Sequence, residues 1–337
     1  DYGHVVNNSI VKTTGEKSVA IYSANGTTTE NNGEIVIGGN NSAGIYGANY
    51  LDGINSSAVL KYGDDKIDIS NNGRIISEGN GKVYGIYADN KYLSRNDSAV
   101  RLGSGSNIDL SSSNGGVGIY ANSTMLTGEG ILSVGNSGVG LYAKDSDVNL
   151  NNFTLNLNGD KALGFYLDGN TNFTGNGNIN INGNGILVFN INSNGTFTND
   201  FIINSSAGST YTLGNVADNT FRYTGSASLA GNGSFIYGKN SAVLLDTGSV
   251  INAAEDNVVG ISMEGQYNGS LPSGFQSGVD AENKGEITLT GSNSAGIYAE
   301  NSSRVKNSGN ITVGNNSAGI STKGTASSAV NSGTISI

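Results

Sequence analysis

Cysteine is absent from these 337 residues, and proline occurs once, at Pro272. Without cysteine there is no disulfide framework and no thiol to serve as nucleophile or metal ligand. Proline removes a donor from a strand ladder, so its near-absence suits a chain that is strand almost throughout. Histidine also occurs once, as His4. A catalytic triad, a histidine metal site and a histidine base in mid-chain are thereby excluded. Long apolar runs are missing as well. The run Ile186-Leu187-Val188-Phe189 falls far short of the roughly 20 residues of a membrane helix. Positive charge is scarce: 17 Lys and Arg stand against 27 Asp and Glu, for a net charge of −10. That balance argues against nucleic acid and anionic lipid as partners, since both need a basic surface.

What the chain has is glycine, 52 residues of it, asparagine nearly as often, and a sequence that repeats. Gly44-Ile45-Tyr46 returns as Gly85-Ile86-Tyr87, Gly118-Ile119-Tyr120, Gly140-Leu141-Tyr142, Gly164-Phe165-Tyr166 and Gly296-Ile297-Tyr298. A second signature alternates with it, as in Gly33-Glu34-Ile35-Val36-Ile37 and Gly309-Asn310-Ile311-Thr312-Val313. Its copies at Gly285, Gly309 and Gly333 are 24 residues apart. A fixed period in this range means stacked units rather than a closed globule.

Within a unit, Ile35-Val36-Ile37 and Ile311-Thr312-Val313 put apolar residues at alternate positions, the period of a strand with one buried face. Clusters such as Gly38-Gly39-Asn40-Asn41-Ser42 lie between. Such residues reach φ > 0 or bond their own backbone, so they turn the chain. A unit of ~23 residues then holds about three short strands and three corners, and stacks on the next at ~4.8 Å with parallel pairing. The expected fold is all-β: one right-handed parallel β-helix over 1–337, a β-solenoid of about a dozen coils of roughly 22–24 residues.

The residue after the triplet glycine should face the core and the next one outward. This predicts an outer row of Tyr22, Tyr46, Tyr87, Tyr120, Tyr142, Tyr166 and Tyr298, with Leu187, Ser262 and Ser321 at the same tolerant position. The row reads either as a stabilising aromatic ladder or as a platform for stacking sugar rings. Three long steps mark insertions near 50–66, 89–107 and 263–284. The first two look alike, with Ser57-Ala58-Val59-Leu60 echoed by Ser98-Ala99-Val100-Arg101-Leu102. Coils near 195–250 are expected to be irregular, as aromatics replace much of the isoleucine there. Insertions of a solenoid collect on one face, often the binding face. Their aromatics Tyr50, Tyr62, Tyr92, Tyr267 and Phe275 are the candidate ligand-binding residues, because core packing does not require them.

Catalytic chemistry finds little support. Asp64-Asp65, flanked by Lys61 and Lys66, and Glu255-Asp256 are the available acidic pairs. Adjacent strand residues face opposite sides, and in a loop they simply solvate it. The calcium repeat Gly-Gly-x-Gly-x-Asp is absent, and the glycine-rich stretches lack the following helix and lysine of a phosphate loop. No catalytic residue, metal site or cofactor is expected.

The segments Asn31-Asn32-Gly33-Glu34-Ile35 to Gly44-Ile45-Tyr46, and Asn307-Ser308-Gly309-Asn310-Ile311 to Gly319-Ile320, resemble the passenger of large Gram-negative type V autotransporter adhesins. The resemblance implies a right-handed β-helix at the bacterial surface, anchored in the outer membrane by a C-terminal β-barrel not contained in these residues. It implies a non-catalytic, rod-like adhesin segment whose partners are host-cell glycans or proteins, or other bacteria. The start at Asp1-Tyr2 without Met or signal peptide is read as an internal or processed piece. The alternatives are a polysaccharide-active β-helix enzyme and a toxin passenger on the same solenoid.

Overall fold

A computed structural model describes residues 3–24, 26–49, 66–91, 97–229 and 233–337. These residues form a parallel β-solenoid of about 13 turns, with no helix among them. The chain divides into two units, Asp1–Gly177 and Asn178–Ile337.

In the first unit a typical coil contains the strands Thr28–Asn31, Glu34–Ile37 and Ser42–Ala48. Each pairs in parallel with the same segment of the next coil. The Gly-Ile-Tyr strands keep strict register, Ile21 to Ile45 to Ile86 to Ile119 to Leu141 to Phe165. From Ile45 to Leu141 these side chains are at most 1% exposed, so they form one aliphatic pillar. Buried side-chain amides make a second ladder. Asn7 donates to Asn31 (2.8 Å), Asn31 to Asn71 (2.7 Å) and Asn71 to the Ser106 hydroxyl (2.7 Å). Later coils lose a corner: Met125–Val134 and Asp147–Leu157 each run as one long strand, with a register shift between Gly128 and Gly130. Both glycines have φ near +130° (130° and 125°), so the bend is absorbed as a bulge instead of a turn.

The triplet glycine has a packing role that its spacing did not reveal. Pairing skips Gly44, and it is buried together with Ile45. A Cβ on Gly44 would stand 2.8 Å from Cγ2 of core residue Ile75 and 2.7 Å from the Gly85 carbonyl. Side chains from the opposite wall occupy that space. In the second unit Val188, Leu213 and Phe235 take this place, all wholly buried, and glycine returns at Gly260 and Gly296. Aromatic packing accompanies the change, with Phe189, Phe197 and Phe221 in mutual contact at 5.3–6.0 Å.

Register corrects one alignment. Ile186 pairs with Tyr211, whereas Phe189 pairs with Gly214 in the row leading to Ile236 and Ile261. The pillar residue of that coil is therefore Phe189, and Asn190, not Leu187, takes the tolerant outer position. Gly185 mimics the triplet glycine in sequence; Ile186 and Phe189 are both buried, and it is the pairing register that puts Phe189 in the row.

Each insertion leaves from the same corner of a coil, the one after a strand of the Gly-Ile-Tyr sheet: Ser42–Ala48, Val83–Asp89 or Val258–Glu264. Residues 50–65 of the first insertion, with Ser57-Ala58-Val59-Leu60, lie outside the described residues, and the second and third insertions are shorter than their sequence bounds. Ala99–Leu102 is an ordinary coil strand paired with Asp68–Asn71, and its Val100 and Leu102 point into the core. Likewise Ala281–Asn283 is a coil strand paired with Val243–Leu245.

Candidate functional site

The tyrosine row exists in the first unit. Tyr22, Tyr46, Tyr87, Tyr120, Tyr142 and Tyr166 stack with ring centroids 4.4–5.8 Å apart and planes within 16°. Each inner ring therefore spends both faces on its neighbours and presents only its edge. Burial, with the neighbouring Tyr120 and Asp89, pushes the Tyr87 phenol well above its usual range, and burial with Asp168 does the same to Tyr142. The geometry is that of a stabilising ladder, not of a platform with free faces. In the second unit Tyr298 lies between Ser262 and Ser321, and its hydroxyl donates to Glu300 (2.9 Å).

The third insertion is described along its whole length, and its geometry is specific. Residues 265–280 leave the corner at Gly265 and lie over the outer face of the strands Ala242–Leu245, Ala281–Asn283 and Arg304–Asn307. Alternation along Ala242–Leu245 points Leu244 outward, yet it is wholly buried, and the loop backbone at Gly274 passes beside its Cδ2. Asp280 holds the loop in place. Its carboxylate is wholly buried and accepts from the Tyr267 backbone N–H (2.9 Å), the Arg304 backbone N–H (2.7 Å), and Nε and a terminal nitrogen of Arg304 (3.0 and 2.9 Å). The Arg304 guanidinium is held above its usual value by this carboxylate. Lys284 donates to the Gly274 carbonyl (2.8 Å), Lys306 to the Gln276 side chain (2.7 Å), and Gln266 to the Ser302 carbonyl (2.8 Å). Beneath the loop Glu282 receives the Ser308 hydroxyl (2.7 Å) between Lys306 (3.2 Å) and Lys284 (3.5 Å). Burial raises its pKa, but the Ser308 and Lys306 hydrogen bonds and both lysine charges outweigh that and hold it below the ordinary value.

So fixed, the start of the loop faces three successive corners across a cleft of about 620 Å³. Asn194, Asp218 and Asn240 line the corner side; Gln266, Tyr267 and Asn268 line the loop side. Asp218 and Asn240 have φ of 53° and 47°, a conformation that Asp and Asn tolerate better than most residues. Gly265 follows Asn240 in the same stack with φ of 79°, and its bare Cα leaves room for the Asn240 side-chain oxygen, which lies closer than van der Waals contact to where a Cβ would stand. Tyr267 is set by its own loop: its hydroxyl donates to the Ser270 carbonyl (3.2 Å), and Gly269 packs against the phenol end of the ring. Burial raises the Tyr267 pKa. A shallower groove of about 430 Å³ lies on the outer face of the Gly-Ile-Tyr sheet, lined by Leu187, Thr212, Asn215 and Tyr237 among others; the Tyr237 hydroxyl donates to Glu264.

Of the residues singled out from sequence, Tyr267 lines the cleft. Phe275 sits half-buried on the same loop and is not among the lining residues. Tyr50, Tyr62 and Tyr92 lie outside the described residues, as do Lys61 and Asp64-Asp65. His4 is exposed, 3.3 Å from Glu30. Glu255 and Asp256 accept backbone N–H groups of Ala254 and Ser292 in turns. Among the described residues no cluster of three metal-ligating side chains occurs. Asn194, Asp218 and Asn240 were not anticipated. Their signal is a polar residue at the same corner of consecutive coils, which reads as turn chemistry until a loop is seen to close over it.

Stacked parallel coils with loops at one corner define a β-helix repeat protein. Residues 146–337 match the family model described as the BigA third pectate lyase-like domain. The match covers more than half of the chain, which belongs to that family. Among solved structures it is similar to the mannuronan C-5 epimerase AlgE6 A-module of Azotobacter vinelandii, at 12% identity and a TM-score of 0.39, over 99% of this chain and 90% of that one. No curated protein sequence matches the chain.

Proposed function

We propose that this chain is a non-catalytic segment of a bacterial cell-surface adhesin, part of an autotransporter-like passenger, and that it attaches to host cells or other bacteria through loops at one corner of its coils. One observation carries the proposal: the loop at 265–280 is clamped by Asp280 and Arg304 so that it roofs a cleft, rather than trailing into solvent. A rigid scaffold presenting a fixed loop is the usual architecture of a binding site. Membership of the BigA domain family supports a surface location.

The lining chemistry supports binding over bond cleavage. It comprises amides, hydroxyls, one phenol and the single carboxylate of Asp218. Cleavage of a polysaccharide needs a second proton-transfer group placed across the substrate; in this lining only the Tyr267 phenol could serve, and its hydroxyl is given to the Ser270 carbonyl while burial holds its proton more tightly. The fold name "pectate lyase-like" is the support for an enzymatic alternative. Two measurements decide. Cells displaying the chain should lose adherence on Tyr267→Ala while its circular dichroism stays that of a β-protein. Unchanged adherence would reject the loop as the binding element. New reducing ends or unsaturated products from a polysaccharide panel would reject the non-catalytic reading.

A further inference from the structure

We infer that the cleft beneath the 265–280 loop takes an uncharged saccharide, recognised through its hydroxyl groups by Asn194, Asp218, Asn240 and Asn268 and through its apolar face by Tyr267. The inference rests on the adhesin reading only in taking this cleft as the ligand site.

The first argument is hydrogen-bonding capacity. The side chains of Asn194, Asp218, Asn240 and Asn268 line the cleft and make no hydrogen bond or ion pair with other described residues. By contrast Asn219, also in the lining, is spent: its amide donates to the carbonyls of Ser193 and Gly195, and its oxygen accepts from the Thr220 N–H. Each uncommitted amide offers donors and an acceptor side by side. A sugar hydroxyl is itself donor and acceptor, so neighbouring hydroxyls can be met in pairs. The Asp218 carboxylate accepts from hydroxyls as a charge-assisted partner.

The second argument is charge. No Lys, Arg or His lines the cleft. A uronate, sulfate or phosphate would leave water without a cation to receive it and would face the like charge of Asp218. Lys284, Arg304 and Lys306 are engaged under and along the loop by Glu282, Asp280, Gln276 and the Gly274 carbonyl.

The third argument is backbone pairing. A peptide would bind best by adding a strand to a free edge. At this corner the N–H groups are taken within the stack: Asp218 donates to the Lys239 carbonyl (3.0 Å), Asn240 to Glu264 (2.8 Å) and Gly265 to Glu300 (3.3 Å). The volume lies within the ordinary range for small-ligand sites, about 300–1,000 Å³, and both walls are preorganised, one by the coil stack and one by the Asp280–Arg304 clamp.

The test is calorimetric titration of the intact chain with neutral oligomers of glucose, galactose and mannose, and with oligogalacturonate and sulfated oligosaccharides. A neutral oligomer should bind, with an affinity that changes little with salt. Tyr267→Ala should weaken it about tenfold or more. Asp218→Asn, which keeps both shape and tolerance of positive φ, should weaken it about threefold or more and should strengthen oligogalacturonate, with the melting temperature unchanged in both variants. A purely structural role of Asp218 would not reverse the charge preference. Tighter binding of the charged oligomers than of every neutral one, or neutral binding indifferent to both substitutions, overturns the inference. If no oligosaccharide binds although Tyr267→Ala abolishes cell adherence, the saccharide inference fails and the adhesin reading stands; if adherence survives, the adhesin reading fails.

Discussion

Replacing Arg304 with alanine should open the 265–280 loop while leaving the coils of its unit folded. Two charge-assisted hydrogen bonds to Asp280 disappear, and the wholly buried carboxylate keeps only the N–H groups of Tyr267 and of residue 304. Breaking a buried pair costs about 3–5 kcal/mol when one charge stays behind. Arg304 is 32% exposed and two donors to Asp280 survive, so the lower end applies, about 3 kcal/mol. Because the loop packs on the outside of the sheet, this cost falls on local opening instead of global unfolding. An opening constant raised by that amount grows roughly a hundredfold. Hydrogen exchange of the amides over 266–279 should accelerate by that factor, and a protease should nick the loop before the coils. Core amides such as Ile311, wholly buried in a paired strand, serve as the internal reference. Arg304→Lys retains charge without the planar fork and should fall between, near tenfold. Loop amides of the alanine variant exchanging within about threefold of the parent would mean that the clamp does not hold the loop, and the reasoning fails.

Gly44→Ala should lower stability by about 1–3 kcal/mol through overpacking against Ile75 and the Gly85 carbonyl, read as a lower midpoint in chemical denaturation. Tyr120→Ala removes stacking on both Tyr87 and Tyr142 and should cost roughly 1–3 kcal/mol without changing adherence; lost adherence with unchanged stability would restore the row as a binding surface. Glu282 titrates below its ordinary value when folded, so its contribution is fully present above the unfolded pKa of about 4.5 and is lost as pH falls through the folded one. Acid should therefore destabilise the second unit in part through this group, and Glu282→Gln should flatten that portion of the pH profile; an unaltered profile refutes the assignment.

The coil architecture follows from the chain's own pattern. A 24-residue period with isoleucine at alternate positions buries one face only if the next coil lies on top, so Ile45 over Ile21 and Ile311 over Ile287 could be read from spacing. Tertiary structure decided what spacing cannot carry. That Phe189 and not Ile186 joins the pillar is a matter of pairing register, since both are buried apolar residues. That Gly44 is glycine depends on Ile75, a residue distant in sequence that claims the same space. The cleft depends most on the third dimension: Asp218, Asn240 and Tyr267 come from separate windings, and nothing local joins them. They meet because stacking places equivalent corners above one another, and because a buried Asp280–Arg304 pair folds one insertion back across them. Periodicity specifies a repeating fold since each coil meets the same neighbours; a site is where that repetition is broken, and only packing determines where the break leads.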